Sequence, residues 1–294
     1  MKSRIDIRTE PAPDGERGYA LISVLWIVTA LALIAAAAEA LTANSYYIER
    51  RSLARAQAEA ALDAGIAEAV LGIEAPNLQD RWRVDGTPRE AEFEGIKLKI
   101  SVQDELGRFD LNLIDGPTLT ALLNAQGAGQ GDARTLTDRI LDWRDASTSE
   151  AHRLRGASDA DYAAAGLVYK PRHGPFQSVD ELQLVLGMTP DLFVRVRPAL
   201  TVYTKKTTID ADVAPREALL ALYDGNAAKV DAILRARESD TAPPRGTFDM
   251  ADSPTGRAFT IAVESDYENH HYARTAVVML TPDDPRPYLI LAWR

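Results

Sequence analysis

Tyr19 to Ala38, YALISVLWIVTALALIAAAA, is a run of twenty residues without a charge, in which only Ser23 and Thr29 carry hydrogen-bonding side chains apart from the aromatics Tyr19 and Trp26. At about 1.5 Å of rise per residue, a helix of this length crosses the ~30 Å hydrocarbon core of a bilayer. The run therefore reads as a membrane span or as the apolar region of a signal peptide. It continues without proline to Leu71 through residues that mostly favour helix, with Leu62, Ile66, Ala69, Val70 and Ile73 forming an apolar stripe at helical spacing. Gly72 and then Pro76 are expected to end the helix, which from Tyr19 would be about 80 Å long. Its second half needs a sheet to cover the stripe.

Charge sets the orientation. Lys2, Arg4, Arg8 and Arg17 precede the apolar run, and the next basic residues, Arg50 and Arg51, lie well past its end. The positive-inside rule then places the N-terminus in the cytoplasm and the bulk of the chain outside. Residues 1–18 mix charges with Pro11, Pro13 and Gly15 and read as a flexible leader. Their charges cancel, so the net charge of -10 belongs to the remainder, which disfavours a phosphate-binding surface. The absence of cysteine removes disulfides, thiolate catalysis and Cys-ligated metal sites.

Downstream, Phe93 to Val102 alternates Ile96, Leu98, Ile100 and Val102 with polar residues, the signature of a half-buried strand. Short helices are expected over Thr118 to Asn124 and Leu136 to Trp143, separated by the glycine-rich GAGQGD loop. Ser178 and Glu181 have the spacing of a capping box, Gly187 closes that helix, and Thr189 with Pro190 opens the next, which Pro198 stops. A second helical hairpin is expected from Pro215 to Tyr223 and Ala227 to Arg237, joined through Asp224 and Gly225. Arg257 to Glu264, Tyr272 to Thr281 and Pro287 to Trp293 read as antiparallel strands.

Arg17-Gly18 directly before Tyr19, at the head of an uninterrupted apolar helix, resembles the cleavage site of type IV prepilins and type II secretion pseudopilins. The resemblance implies that a membrane peptidase cuts between Gly18 and Tyr19 and that the new first residue is methylated. Most such chains carry Glu at the fifth mature position; Ser23 stands there, a trait of the K-type minor pseudopilins, so that Ser23 becomes the candidate assembly residue. Asp104-Glu105-Leu106-Gly107 followed by Asp110-Leu111-Asn112 resembles the D-E-x-G and N-L-N stretch of that family, with Asp110 for the first Asn. Thr208 to Pro215, TIDADVAP, resembles its V-N-I-N-T-A element with Asp210, Asp212 and Val213 substituted, and Trp143, Asp145, Gly156, Ala157, Asp159 and Tyr162 fit its W-x-D...G-A-x-x-x-Y pattern.

The family implies an α+β pseudopilin fold: a long N-terminal transmembrane helix packed on an antiparallel sheet, with a large inserted α-helical domain of helix hairpins. On this sequence the leader is 1–18, the transmembrane and assembly helix 19–72, the α/β domain 73–116 with 205–294 including the second hairpin, and the inserted domain 117–204. The implied function is that of a non-enzymatic minor pseudopilin at the tip of the type II secretion pseudopilus. Its expected partners are other minor pseudopilins, the major pseudopilin, the prepilin peptidase and the inner membrane, with no nucleic acid. Asp142, Asp145, Glu150, Asp159 and Asp161 occupy a long polar segment, and hard oxygen ligands gathered on a loop are what Ca²⁺ selects, so Asp142, Asp145, Asp159 and Asp161 are the candidate calcium ligands.

Three other readings compete. A secretory signal peptide would be cut within Ala36 to Ala40. A membrane-anchored helix-hairpin-helix nucleic-acid binder would use the Leu186 to Thr189 turn beside Arg195 and Arg197, although Asp180, Glu181 and Asp191 flank it. A hydrolase lacks a recognisable nucleophile, base and oxyanion set. The histidines His152, His173, His270 and His271 show no metal-ligand spacing, and His270-His271 reads as a solvated pair in a strand turn.

Overall fold

A computed structural model describes residues 16–77, 80–145, 156–238, 254–282 and 285–294. The chain divides into two compact units, Met1–Gln57 and Ala58–Arg294. Helix α1 (Glu16–Ile73) supplies the first with Tyr19–Ala40, a 22-residue stretch whose length and apolar composition suit a membrane span and of which none is buried within the protein.

In the second unit the stretch of α1 from Ala58 to Ile73 turns Leu62, Ile66, Ala69, Val70 and Ile73 into a core shared with a five-stranded antiparallel sheet. The strands are β1 (Asp85–Phe93), β2 (Ile96–Asp104), β5 (Ala258–Tyr267), β6 (His270–Leu280) and β7 (Tyr288–Trp293), in the order β1-β2-β5-β6-β7. The alternation read from β2 is the one that folds: Ile96, Leu98, Ile100 and Val102 all face the helix, level with Phe259, Ile261 and Val263 of β5. Burying each such aliphatic side chain contributes about 1.5–3 kcal/mol. Helix α1 ends at Ile73, between Gly72 and Pro76, with Gly72 still inside it. The reason for glycine is space, because a Cβ would lie 2.5 Å from the Trp82 ring.

Between β2 and β5 the chain builds a second, helical core. Strand β3 (Phe109–Asp110) leads into α2 (Gly116–Ala125) and α3 (Gln130–Arg144), followed by α4 (Asp159–Ala164), α5 (Pro190–Val196), and β4 (Leu200–Thr201), which pairs in parallel with β3. Then come α6 (Arg216–Leu222) and α7 (Ala227–Glu238). In the second hairpin Ala214, Ala218, Leu219, Ala221 and Val230 pack in the helical core with Leu119, Leu122 and Leu123 of α2. The expected capping box at Ser178 is also absent. Val179–Leu184 is a 3-10 segment, Ser178 makes no side-chain cap, and the Glu181 carboxylate instead accepts from the Gln177 amide at 3.1 Å and from Arg172 at 2.9 Å.

Candidate functional site

Two of the sequence elements singled out above meet where the sheet joins the helical core. Asp104 ends β2 and caps the following 3-10 turn, accepting from the Leu106 amide at 2.8 Å, while the Asp210 amide donates to the Leu106 carbonyl at 2.8 Å. Gly107 lies flat against Val213 and Ala214, so that the glycine of one element and the TIDADVAP backbone of the other are in direct contact. Gln103 reinforces the junction by donating to the Val213 carbonyl at 2.7 Å, and the buried Arg237 of α7 donates to the Ala214 carbonyl at 2.8 Å.

This joint concentrates buried charge. Asp104 is fully buried and pairs with Arg257, and Glu105, almost as buried, pairs with Arg108 at 2.7 Å. Burial pushes the Asp104 carboxyl up to about 6, against the pull of the Arg257 guanidinium and the Leu106 amide. Asp110, which stands where the family pattern has Asn, accepts the Asn112 amide at 2.9 Å through one oxygen and the Lys205 amide at 2.8 Å through the other, tying the ends of the inserted domain together. Asn112 makes a reciprocal pair with Phe176, donating to its carbonyl at 2.9 Å and accepting its amide at 2.7 Å. An Asp at 112 has no donor for the first of these.

Of the W-x-D...G-A-x-x-x-Y residues, Trp143, Ala157 and Tyr162 are core. Trp143 stacks on Phe176 at 6.1 Å and packs beside Tyr162, whose hydroxyl accepts the Leu186 amide at 3.0 Å. Gly156 lies against the Asp142 side chain with no room for a Cβ. Arg144, which sequence reasoning passed over, donates to the Leu111 and Ile114 carbonyls at 2.6 and 2.7 Å.

The candidate metal ligands are not brought together. Asp142 is buried in α3 near His173. Asp145 is the C-cap of α3, and Asp159 faces Lys170 at 3.4 Å with both side chains largely exposed. Asp161 accepts the Ser158 amide and hydroxyl, both at 2.7 Å, in a capping box at the start of α4 that sequence reading had missed; those bonds hold its carboxyl below the usual range. Among the described residues no three His, Asp or Glu side chains form a metal shell. Glu150 lies outside the described residues.

Gly18 and Tyr19 both lie in α1, and Tyr19 is exposed. The Ser23 hydroxyl donates to the Tyr19 carbonyl one turn back at 2.8 Å. Such back-bonding satisfies a hydroxyl inside an apolar helix without any partner from another chain.

A long helix, apolar in its first part, whose last part packs on an antiparallel sheet with a helical domain inserted between β2 and β5 is an α+β arrangement consistent with the pseudopilin fold. Residues 107–205 match the family model for type II secretion system protein K. The chain is similar to protein K of Klebsiella pneumoniae, 29% identical over 249 residues that cover 76% of this chain and 75% of that one. It is also similar to protein K of Pseudomonas aeruginosa, 24% identical over 245 residues, covering 76% and 73%. A chain of the GspK-GspI-GspJ complex from enterotoxigenic Escherichia coli shares the fold, with a TM-score of 0.58 and 16% identity over 85% of this chain and 98% of that one. Over about three quarters of its length the chain is thus similar to the type II secretion system K proteins, and among the described residues one N-terminal helix, Tyr19–Ala40, is long and apolar enough to anchor it in a membrane. The nucleic-acid reading finds no support.

Proposed function

We propose that this chain is a minor pseudopilin of the type II secretion pseudopilus, of the protein K type, which starts pseudopilus assembly and remains at the tip, acting as a structural part with no catalytic role. The observation that carries this is at Ser23. A Glu at the fifth mature position is a charge inside the membrane, costing a few kcal/mol unless paired. The resemblance to pseudopilins implies that such a Glu pairs with the N-terminal amine of the subunit above. The Ser23 hydroxyl carries no charge and is already bonded to the Tyr19 carbonyl of its own helix. A subunit built this way is poorly suited to joining beneath another, while its own amine still receives the Glu of the next. The inserted domain adds bulk that suits an end and obstructs stacking above.

On this reading the membrane peptidase removes residues 1–18, Tyr19 is methylated, and the bulk of the chain is periplasmic, as the basic residues before the apolar run favour. The partners are other minor pseudopilins, as in the complex of its structural neighbour, and the major pseudopilin. Ser23→Ala should leave secretion nearly unchanged in a complementation assay. Loss of secretion at normal protein level and processing would sink the capping argument and give Ser23 a different role.

Calcium belongs to the same proposal. What supports it is the oxygen-rich chemistry of the 142–161 segment, with Asp142 and Asp145 at its start; Asp159 and Asp161 already meet Lys170 and Ser158. If calcium holds the segment, EDTA lowers the melting temperature and excess calcium restores it by mass action. No shift in either direction leaves all four carboxylates with structural or solvated roles only.

A further inference from the structure

The two edges of the five-stranded sheet are finished differently. Strand β1, at one edge, carries Pro88, Arg89, Glu90 and Glu92, and charges and proline of this kind keep an edge from pairing with a foreign strand. Strand β7, at the other edge, has no charged residue from Tyr288 to Trp293. Leu289, Ile290, Leu291 and Trp293 are 43%, 49%, 39% and 47% exposed, so both sides of the strand leave apolar surface uncovered. Among the described residues no strand lies beyond β7.

The backbone of β7 sets what can cover it. Arg294 and Thr275 each donate an amide to the other's carbonyl at 2.9 Å, and the Pro287 carbonyl accepts the Thr281 amide at 2.9 Å, so Arg294 and Pro287 face β6. Backbone groups alternate sides along an antiparallel strand, and the register skips Leu291, which has no residue opposite. Tyr288, Ile290 and Trp293 therefore turn their N–H and C=O groups outward. Leu280, opposite Tyr288, agrees with this phase: its amide donates to the Arg257 carbonyl and its carbonyl accepts the Gly256 amide, both on the far side of β6. Water can solvate the outward groups but leaves the apolar side chains beside them exposed, whereas an extended strand with apolar side chains covers both.

The side chains place that strand beside α1. Tyr288, Ile290 and Trp293 stand opposite Leu280, Val278 and Ala276, which pack in the core under the helix, so the uncovered apolar side of β7 borders α1. Arg274 closes the border: its guanidinium donates to the Glu59 carbonyl, pairs with Asp63 and lies 5.2 Å over the Trp293 ring. A subunit whose own N-terminal helix packs beside α1 is thereby brought against this edge. The geometry points to β7 as the docking edge for a strand of a neighbouring minor pseudopilin, which extends the sheet by one strand through the outward groups of Tyr288, Ile290 and Trp293. This rests on the partners proposed above, and the neighbour is a different chain because a starting subunit held once at the tip has no second copy beside it.

The test is co-purification of the tagged full-length chain, in detergent micelles, with the other minor pseudopilins of its own secretion system, identified by intact mass. The parent chain should retain them. Ile290→Pro removes an outward N–H and leaves the bonds to β6, and should lower their recovery about 10-fold or more; Ile290→Thr gives up the same apolar surface but keeps the N–H, and should lower it about 3-fold or less. Because proline can disturb the strand, residue-resolved hydrogen exchange on the unaltered chain gives a second readout. The amides of Tyr288, Ile290 and Trp293 should exchange about 10-fold more slowly or better with the partners bound, while those of Leu289 and Arg294, already turned to β6, stay unchanged. Equal recovery with Ile290→Pro and Ile290→Thr, unchanged exchange at the three outward amides, or an edge occupied by a second copy of this chain would overturn the proposal. A parent chain that retains no minor pseudopilin would overturn it together with the partner reading, which the recovery and exchange outcomes leave standing.

Discussion

Gly107→Ala should lower the melting temperature by about 5 °C or more, and Gly107→Val should remove most of the folded population, because the space beside this glycine is occupied by backbone. A Cβ there would lie 2.5 Å from the Val213 carbonyl oxygen, 2.8 Å from its carbon and 2.9 Å from the Ala214 Cα. A flexible side chain would swing aside, but Val213 is fixed by the Gln103 side chain and Ala214 by Arg237, so neither yields without breaking the joint between sheet and helical core. Overpacking of this kind costs about 1–3 kcal/mol when side chains absorb it. In a chain of this size each kcal/mol moves the melting temperature by about 2–4 °C. Gly131, in the first turn of α3 with nothing near its would-be Cβ, is the control; Gly131→Ala should melt within a degree or two of the parent. Thermal melts of the three variants decide the matter, and a Gly107→Ala protein as stable as the parent would mean that the joint is looser than the structure has it.

That joint also shows what the sequence made legible and what it did not. Strands β2, β5, β6 and β7 and the stripe on α1 were readable because their apolar periodicity is the physical cause of their burial. Strand β1 was not: Asp85–Phe93 contains Pro88, Arg89, Glu90 and Glu92, and as an edge strand it takes its place from pairing with β2 across the Glu94-Gly95 turn and from Arg89 lying 4.8 Å over Trp82, neither of which its own residue pattern carries. The Ser178–Glu181 spacing misled because Arg172 competes for the Glu181 carboxylate, whereas Ser158–Asp161 forms a real box with the shorter acid. The second hairpin read correctly as two helices, yet only three-dimensional contact assigns Leu219 and Val230 to the helical core. At the site, the quoted elements were in the right places, but a glycine in a D-E-x-G turn carries no sign in the sequence that its neighbour will be Val213. In the acidic segment the Asp161 cap went unread, although Ser158 stands three residues before it, because the box there closes on Asp and not on Glu or Gln.

Gly18→Leu should leave the leader on nearly every molecule, an effect read directly as intact mass after membrane extraction. The apolar stretch from Tyr19 to Ala40 is uniformly exposed and long enough to span a bilayer, so whatever cuts before Tyr19 leaves the anchor in place and whatever cuts after Ala36 removes most of it. A peptidase that accepts glycine as the residue before the cut has a subsite without room for a side chain, and leucine there blocks the scissile bond from reaching the catalytic groups. A signal peptidase reading small residues near Ala36 to Ala40 would be indifferent to position 18, which is some twenty residues upstream, or about 30 Å along a helix. The two mechanisms therefore give opposite results with one variant. Wild-type protein lacking residues 1–18 and a Gly18→Leu protein retaining them fix the cut at Gly18. If Tyr19 is methylated, the same mass carries one added methyl group. Normal processing in Gly18→Leu would sink the assignment of the N-terminal segment, and with it the numbering that makes Ser23 the fifth mature residue; the helical core and its joint at Gly107 would stand unaffected.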